Sequence, residues 1–209
     1  MVELDHVLIA VSDLPGAGRR MESLFGLASV AGGRHPGWGT ANRIIPLGDA
    51  YLELVTVVDS EAATASPFGR WVCRACESAP AFMGWAVRTQ DLDRIAKRLD
   101  LTPDEGSRAG RDGALIRWRM AGVQQAAAEP LLPFFIEWGQ DTRLPGRAQD
   151  SHPAAAVSIE KVLVRGNEQR MDAWLGGDTL PLEVTAGAPA VVGLVLSVAG
   201  GAIHVGPDL

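Results

Sequence analysis

The chain has 209 residues, 47% of them hydrophobic and 21% charged, with a formal net charge of −6. That length buries a real core, as one substantial domain or two small ones. The acidic balance and the lack of any long basic run exclude the cationic stripe that nucleic acid or an anionic membrane requires.

The first strand signal, "VELDHVLIAV", alternates with period two and carries one histidine, His6. It has no basic leading segment and meets Asp5 and His6 at once, so it does not read as a signal peptide, and a cytoplasmic protein is expected. "LPGAGRRMESLFG" follows as a helix with Gly26 as its stop. "LASVAGGRH", "ANRIIPLG" and "AYLELVTVV" are strands, with Gly48-Asp49 as a tight turn between the last two. The order is β-α-β-β-β over residues 1–66. Residues 67–80 read as a connector helix containing Cys73 and Cys76. A C-x-x-C in mid-helix, without a second Cys/His pair, is expected to be a plain pair of helix positions.

The order then repeats over residues 81–139. "FMGWAVRT" is a strand, and "DLDRIAKRLD" a helix with Leu92, Ile95 and Leu99 on one face. The turn-rich "LTPDEGSRAGRDG" holds one strand, and "ALIRWRM", a loop "AGVQQAAAEPL" and "PFFIEWG" complete the copy. Residues 140–155 have linker composition. Residues 156–209 give a third, weaker β-α-β-β-β pattern in which the apolar "APAVVGLVLSVAGGAIHVG", broken by Pro and Gly, reads as two strands rather than a membrane span. The fold expected is α+β, with paired β-α-β-β-β modules forming a half-open barrel cleft and a third module appended. That third unit either packs on the pair or meets its own copy in a homodimer.

The paired modules, "LDHVLIAVSDL", "HPGWGTANRIIPLGDAYLELVTVVD", "FGRW", "GWAVRTQDLD" and "PFFIEW" resemble the glyoxalase-like proteins of the vicinal oxygen chelate superfamily, which includes glyoxalase I, extradiol dioxygenases and bleomycin-resistance proteins. The resemblance covers roughly residues 3–160. It implies metal ligands on the first and last strands of each module: His6 and Glu53 from the first, Glu137 from the second. Counting back from the shared Asp-Leu, His6 corresponds to Gly84, which has no side chain to ligate with.

Strand alternation sets Leu4, His6, Leu8 and Ala10 on one face, Glu53 with Tyr51, and Glu137 with Phe135. Inward carboxylates need a divalent ion, an arginine or a proton as compensation. In the metal reading His6, Glu53 and Glu137 hold Mn, Fe, Ni or Zn as a Lewis acid for lyase, isomerase or dioxygenase chemistry, with Glu53 and Glu137 as the catalytic carboxylates. In the metal-free reading the cleft binds or sequesters a small molecule. Candidate substrate contacts are His35, Asn42, Arg117, Arg119 and Phe135. Arg117 and Arg119 share one face of their strand, either inside the cleft or toward solvent. Trp85 and Trp118, on the opposite face, are expected to pack against the helices.

Overall fold

The computed structural model describes residues 1–109, 115–140, 142–148, 151–155 and 157–207. The first module is β1 (Glu3–Ala10), α1 (Leu14–Phe25), β2 (Val30–His35), β3 (Thr40–Leu47) and β4 (Ala50–Val57). The Asp-Leu that ends the first strand signal is a helix start. Asp13 caps α1 by accepting from the Gly16 amide, and Gly26 closes the helix in the left-handed region at φ 67°. Asp91 does the same for α4 (Leu92–Leu99) in the second module, accepting from Arg94 N. That module continues with β5 (Ala81–Arg88) before the helix and β6 (Asp104–Ala109), β7 (Leu115–Ala121) and β8 (Phe134–Trp138) after it. The expected loop between the last two strands instead contains a short helix, α5 (Val123–Ala128).

All eight strands form one sheet in the order β2-β3-β4-β1-β5-β8-β7-β6. The modules join through the antiparallel pair β1–β5, and within each module the first and last strands run parallel, β1 with β4 and β5 with β8. The sheet curls until its edges β2 and β6 approach each other, giving a nearly closed barrel with a seam. The connector does more than link the modules. After the short helix α2 (Ser60–Ala65), α3 (Pro67–Cys76) lies on the concave face, where Phe68, Trp71 and Val72 pack with Leu8, Ala10, Val55 and Phe134. Its apolar side fills much of the space that an open cleft would leave. Cys73 and Cys76 are ordinary free thiols near its end.

The third unit has the expected element order: β9 (Ser158–Arg165), α6 (Glu168–Leu175), β10 (Leu182–Thr185), β11 (Ala190–Val198) and β12 (Gly201–Val205). Its strands pair as β10-β9-β11-β12, so its first strand is central rather than at an edge. It is therefore not a third half-barrel. It covers the convex side of the barrel: Val162, Val164, Leu194 and Leu196 share one buried cluster with Val87, Ile95 and Phe135. Trp174 of α6 sits with its ring centroid 5.6 Å from that of Phe135 and donates to Pro133 O at 2.8 Å. Among the described residues, no helix is long and apolar enough to cross a membrane.

Candidate functional site

The site begins with an irregularity in β1. Its pairing with β5 slips between Leu4 and His6, so Asp5 is an extra residue in the strand. A bulge of this kind re-aims the side chains around it. Leu4 joins the convex core with Val7 and Ile9, while Asp5 and His6 both turn into the barrel, 1% and 2% exposed. The Asp5 carboxylate accepts from Trp138 Nε1 at 2.9 Å and, through its other oxygen, from His6 Nδ1 at 2.6 Å. A carboxylate can only accept, so Nδ1 carries a proton and Nε2 is the nitrogen turned toward the cavity. The His6 ring is held by stacking on Tyr51, centroids 4.6 Å apart, and by the edge of Phe134.

Glu53 stands opposite. Parallel pairing sets it beside Leu8, with Oε2 3.4 Å from His6 Nε2. Its other oxygen accepts from Asn42 Nδ2 at 2.6 Å, and Gly33 N donates to Asn42 Oδ1 at 2.7 Å, which fixes the orientation of that amide. This 5%-exposed carboxylate is thus held by Asn42 through one oxygen and faces His6 Nε2 with the other. Asp5, His6, Glu53 and Asn42 make one continuous polar chain through an otherwise aromatic interior.

The space beside this chain is a cavity of about 30 Å³, bounded further by Trp38, Phe68, Trp118 and Arg108. That volume holds one or two waters. Trp38 comes from a single 3₁₀ turn, Pro36–Trp38, and a Cβ on Gly106 of β6 would lie 2.6 Å from its ring and 2.4 Å from that of Trp118. Absence of a side chain at Gly106 therefore lets two tryptophans close the seam. His35, also buried, meets Thr40 Oγ1 at 2.9 Å through Nδ1. Burial pulls its pKa down to about 4, against the attraction of Glu53 and helped by Arg108, so it is neutral near pH 7. The Tyr51 phenol is pushed up by burial, with Asp5 and Glu53 adding to the shift, so it stays protonated.

Of the residues singled out in the sequence, the structure gathers His6, His35, Asn42 and Glu53 around this cavity. It turns the second module's candidates away. Phe135 and Glu137 do share a face, but that face is the convex one, and Phe134, Ile136 and Trp138 point inward instead. Glu137 accepts from the Leu92 amide at the start of α4 and from Arg119 Nη1, and Phe135 is fully buried against Trp174. Arg119 also binds Asp93 on the surface, and Arg117 is exposed, so neither arginine reaches the cavity. Trp118 lines it, contrary to expectation, whereas Trp85 packs on the convex side and donates to Leu131 O.

The residues present do not fit a metal held by both modules. Leu8 pairs with Glu53, and Ala86, its counterpart in the second module, pairs with Phe134. The second module's two ligand positions are thus Gly84 and Phe134. Neither offers a donor, and a Cβ on Gly84 would already lie 2.4 Å from the Trp71 ring of α3. Among the described residues no group of three or more His, Cys, Asp or Glu side chains is placed to hold an ion. What remains is a one-sided site: acid–base groups from the first module, an aromatic wall from the second.

Four contributors escaped the sequence reading. Asp5 and Tyr51 lie beside residues that were noticed, but the bulge that aims Asp5 leaves no local pattern. Trp38 stands between two glycines in "HPGWGT", where no strand or helix period fixes its direction. Arg108 lies in the turn-rich segment "GSRAGRDG", of which residues 110–113 fall outside those described.

Two curled β-α-β-β-β modules joined through their first strands, with buried polar side chains on the concave face, define a protein of the vicinal oxygen chelate fold. More narrowly, the model of the glyoxalase-like domain family matches residues 4–178, and the chain belongs to that family. Among solved structures, a hypothetical protein from Staphylococcus aureus is similar over 98% of both chains at 13% identity, with a TM-score of 0.72. Methylmalonyl-CoA epimerase from Mycobacterium tuberculosis aligns over 65% of this chain and 86% of its own at 19% identity, with a TM-score of 0.46. The corresponding Streptomyces coelicolor epimerase aligns over 67% and 98% at 17% identity, with a TM-score of 0.47. No curated protein matches the sequence.

Proposed function

We propose that this protein binds a small oxygenated molecule inside its barrel and moves a proton on it with Glu53 and His6, without a metal shared between modules. The observation that carries the reading is the His6–Glu53 pair, 3.4 Å apart and buried, with Asp5 behind the imidazole and Asn42 holding the carboxylate. Such an arrangement suits abstraction of a proton from carbon next to a carbonyl. Glu53 Oε2 takes the proton from carbon while His6, protonated on both nitrogens, gives its Nε2 proton to the carbonyl oxygen. The products are an enol, a neutral imidazole and a neutral carboxyl, and return of both protons completes an isomerisation or exchange. Asp5 stabilises the charged ring before transfer and keeps Nε2 aimed at the substrate. The aromatic walls exclude water, which strengthens both interactions.

A second reading, metal-free sequestration, is favoured by the cavity's small size and largely aromatic lining. One experiment separates the two. A panel of short 2-oxo and acyl compounds is incubated with the protein in deuterated water, and loss of the α-proton signal is followed by NMR. The catalytic reading expects exchange with the parent and a fall of 10²-fold or more in Glu53→Gln, on the usual scale of general-base catalysis. Compounds that bind the parent without exchanging, and bind Glu53→Gln equally, would leave sequestration as the function.

A further inference from the structure

The cavity contains a cation that the acid–base chain does not use. Arg108, on β6, is 8% exposed and lines the same cavity as His6 and Glu53. Among the described residues, no oxygen accepts a hydrogen bond from its guanidinium and no carboxylate lies within ion-pair distance. Other arginines turned toward the protein are satisfied internally: Arg43 by Ser29, Arg88 by Leu4 O and Glu3, Arg98 by the carbonyls of Ala173 and Trp174. Its guanidinium thus stands at the cavity wall without an internal acceptor, and a planar fork of this kind is suited to a carboxylate held by two parallel hydrogen bonds.

The carboxylates already inside the barrel are not available to it. Both oxygens of Asp5 are engaged by His6 and Trp138, and Glu53 is held by Asn42 through one oxygen with its other oxygen 3.4 Å from His6 Nε2. The positive charge of Arg108 is nonetheless felt there, since it acts on both His35 and Tyr51. We propose that Arg108 anchors the carboxylate of a small monoanionic ligand, whose other end meets His6 and Glu53. The inference deepens the proton-transfer reading and rests on it for the orientation of the ligand, though not for its binding. Three features select the class. A cavity of about 30 Å³ admits only a few heavy atoms without movement of Trp38. Two internal carboxylates oppose a second negative charge on the ligand, which disfavours a phosphate dianion. Trp38 and Trp118 offer a short alkyl group an apolar wall.

The test is calorimetric titration of the full chain with pyruvate, methyl pyruvate and inorganic phosphate. Pyruvate is expected to bind saturably to the parent, its neutral ester at least tenfold more weakly, and phosphate not at all. Loss of a charge-assisted pair predicts roughly 10- to 100-fold weaker pyruvate binding in Arg108→Met, with a smaller loss in Arg108→Lys. Glu53→Gln is expected to keep pyruvate binding within a few-fold while losing deuterium exchange, so failure of the proton chemistry is read separately from failure of the anchor. Equal binding of acid and ester, unchanged affinity in both arginine variants, phosphate binding as well as pyruvate, or no pyruvate binding at millimolar concentration would each overturn the proposal. Should Arg108→Met fail to fold, the acid–ester comparison in the parent and Arg108→Lys decides alone.

Discussion

Acidification should destabilise this protein through His35 before its carboxylates dominate. The imidazole is buried beside Trp38 and Trp118 and titrates in the folded state at about 4, against 6.5 for the free group. Burial disfavours the charged form, so between these values the unfolded chain binds a proton that the folded chain refuses. The stabilising contribution is complete above pH 6.5 and is lost as pH falls through that window to the folded value. At about 1.4 kcal/mol per unit, the loss comes to about 2 kcal/mol at pH 5 and about 3 kcal/mol at pH 4. Urea unfolding of the parent and of His35→Gln, at neutral pH and at pH 5, measures it. Glutamine can still meet Thr40 but does not titrate. Carboxylates lose stability alike in both proteins, so the variant's loss between the two pH values should be smaller by about 2 kcal/mol. Equal losses would refute the argument, because a neutral buried His35 cannot leave the acid branch unchanged.

Gly84→Ala should cost about 1–3 kcal/mol by driving a methyl into the Trp71 ring, and less in a Trp71→Leu background, which a double-mutant cycle of denaturation free energies checks. Glu137→Gln should lower stability by about 1 kcal/mol through the weakened cap on α4 and the weakened contact with Arg119, while ligand affinity stays unchanged; a large loss of binding would place Glu137 in the site after all. Asp5→Asn should reduce deuterium exchange by 10-fold or more with little change in apparent binding, because an amide can present a donor to His6 Nδ1 and reverse the ring's tautomer; intact exchange would remove Asp5 from the chemistry.

The modular plan was legible because its signals are local. Alternation gave strands, a 3.6-residue period gave helices, and the two Asp-Leu pairs that close β1 and β5 are helix caps whose geometry depends only on residues three apart. His6 and Glu53 could be paired in advance because the family resemblance supplies which strands face inward. The short helix α5 was missed because "VQQAAA" lies among loop signals and is anchored by tertiary contacts of Val123 and Ala126.

Alternation says which residues of a strand share a face, and by itself it does not say which face is which. In β8 both faces are buried, one inside the barrel and one under the third unit, so hydrophobicity does not choose between Phe134 and Phe135. Only the pairing of Ala86 with Phe134 decides that Glu137 lies outside. The bulge at Asp5, the placing of Trp71 against Gly84 and the entry of Arg108 across the seam are likewise long-range. Each depends on residues far apart in sequence meeting at one point, which no local pattern encodes. Sequence alone determined two modules and a histidine facing a glutamate; tertiary structure decided that the second module offers that pair aromatic walls and a buried cation instead of ligands.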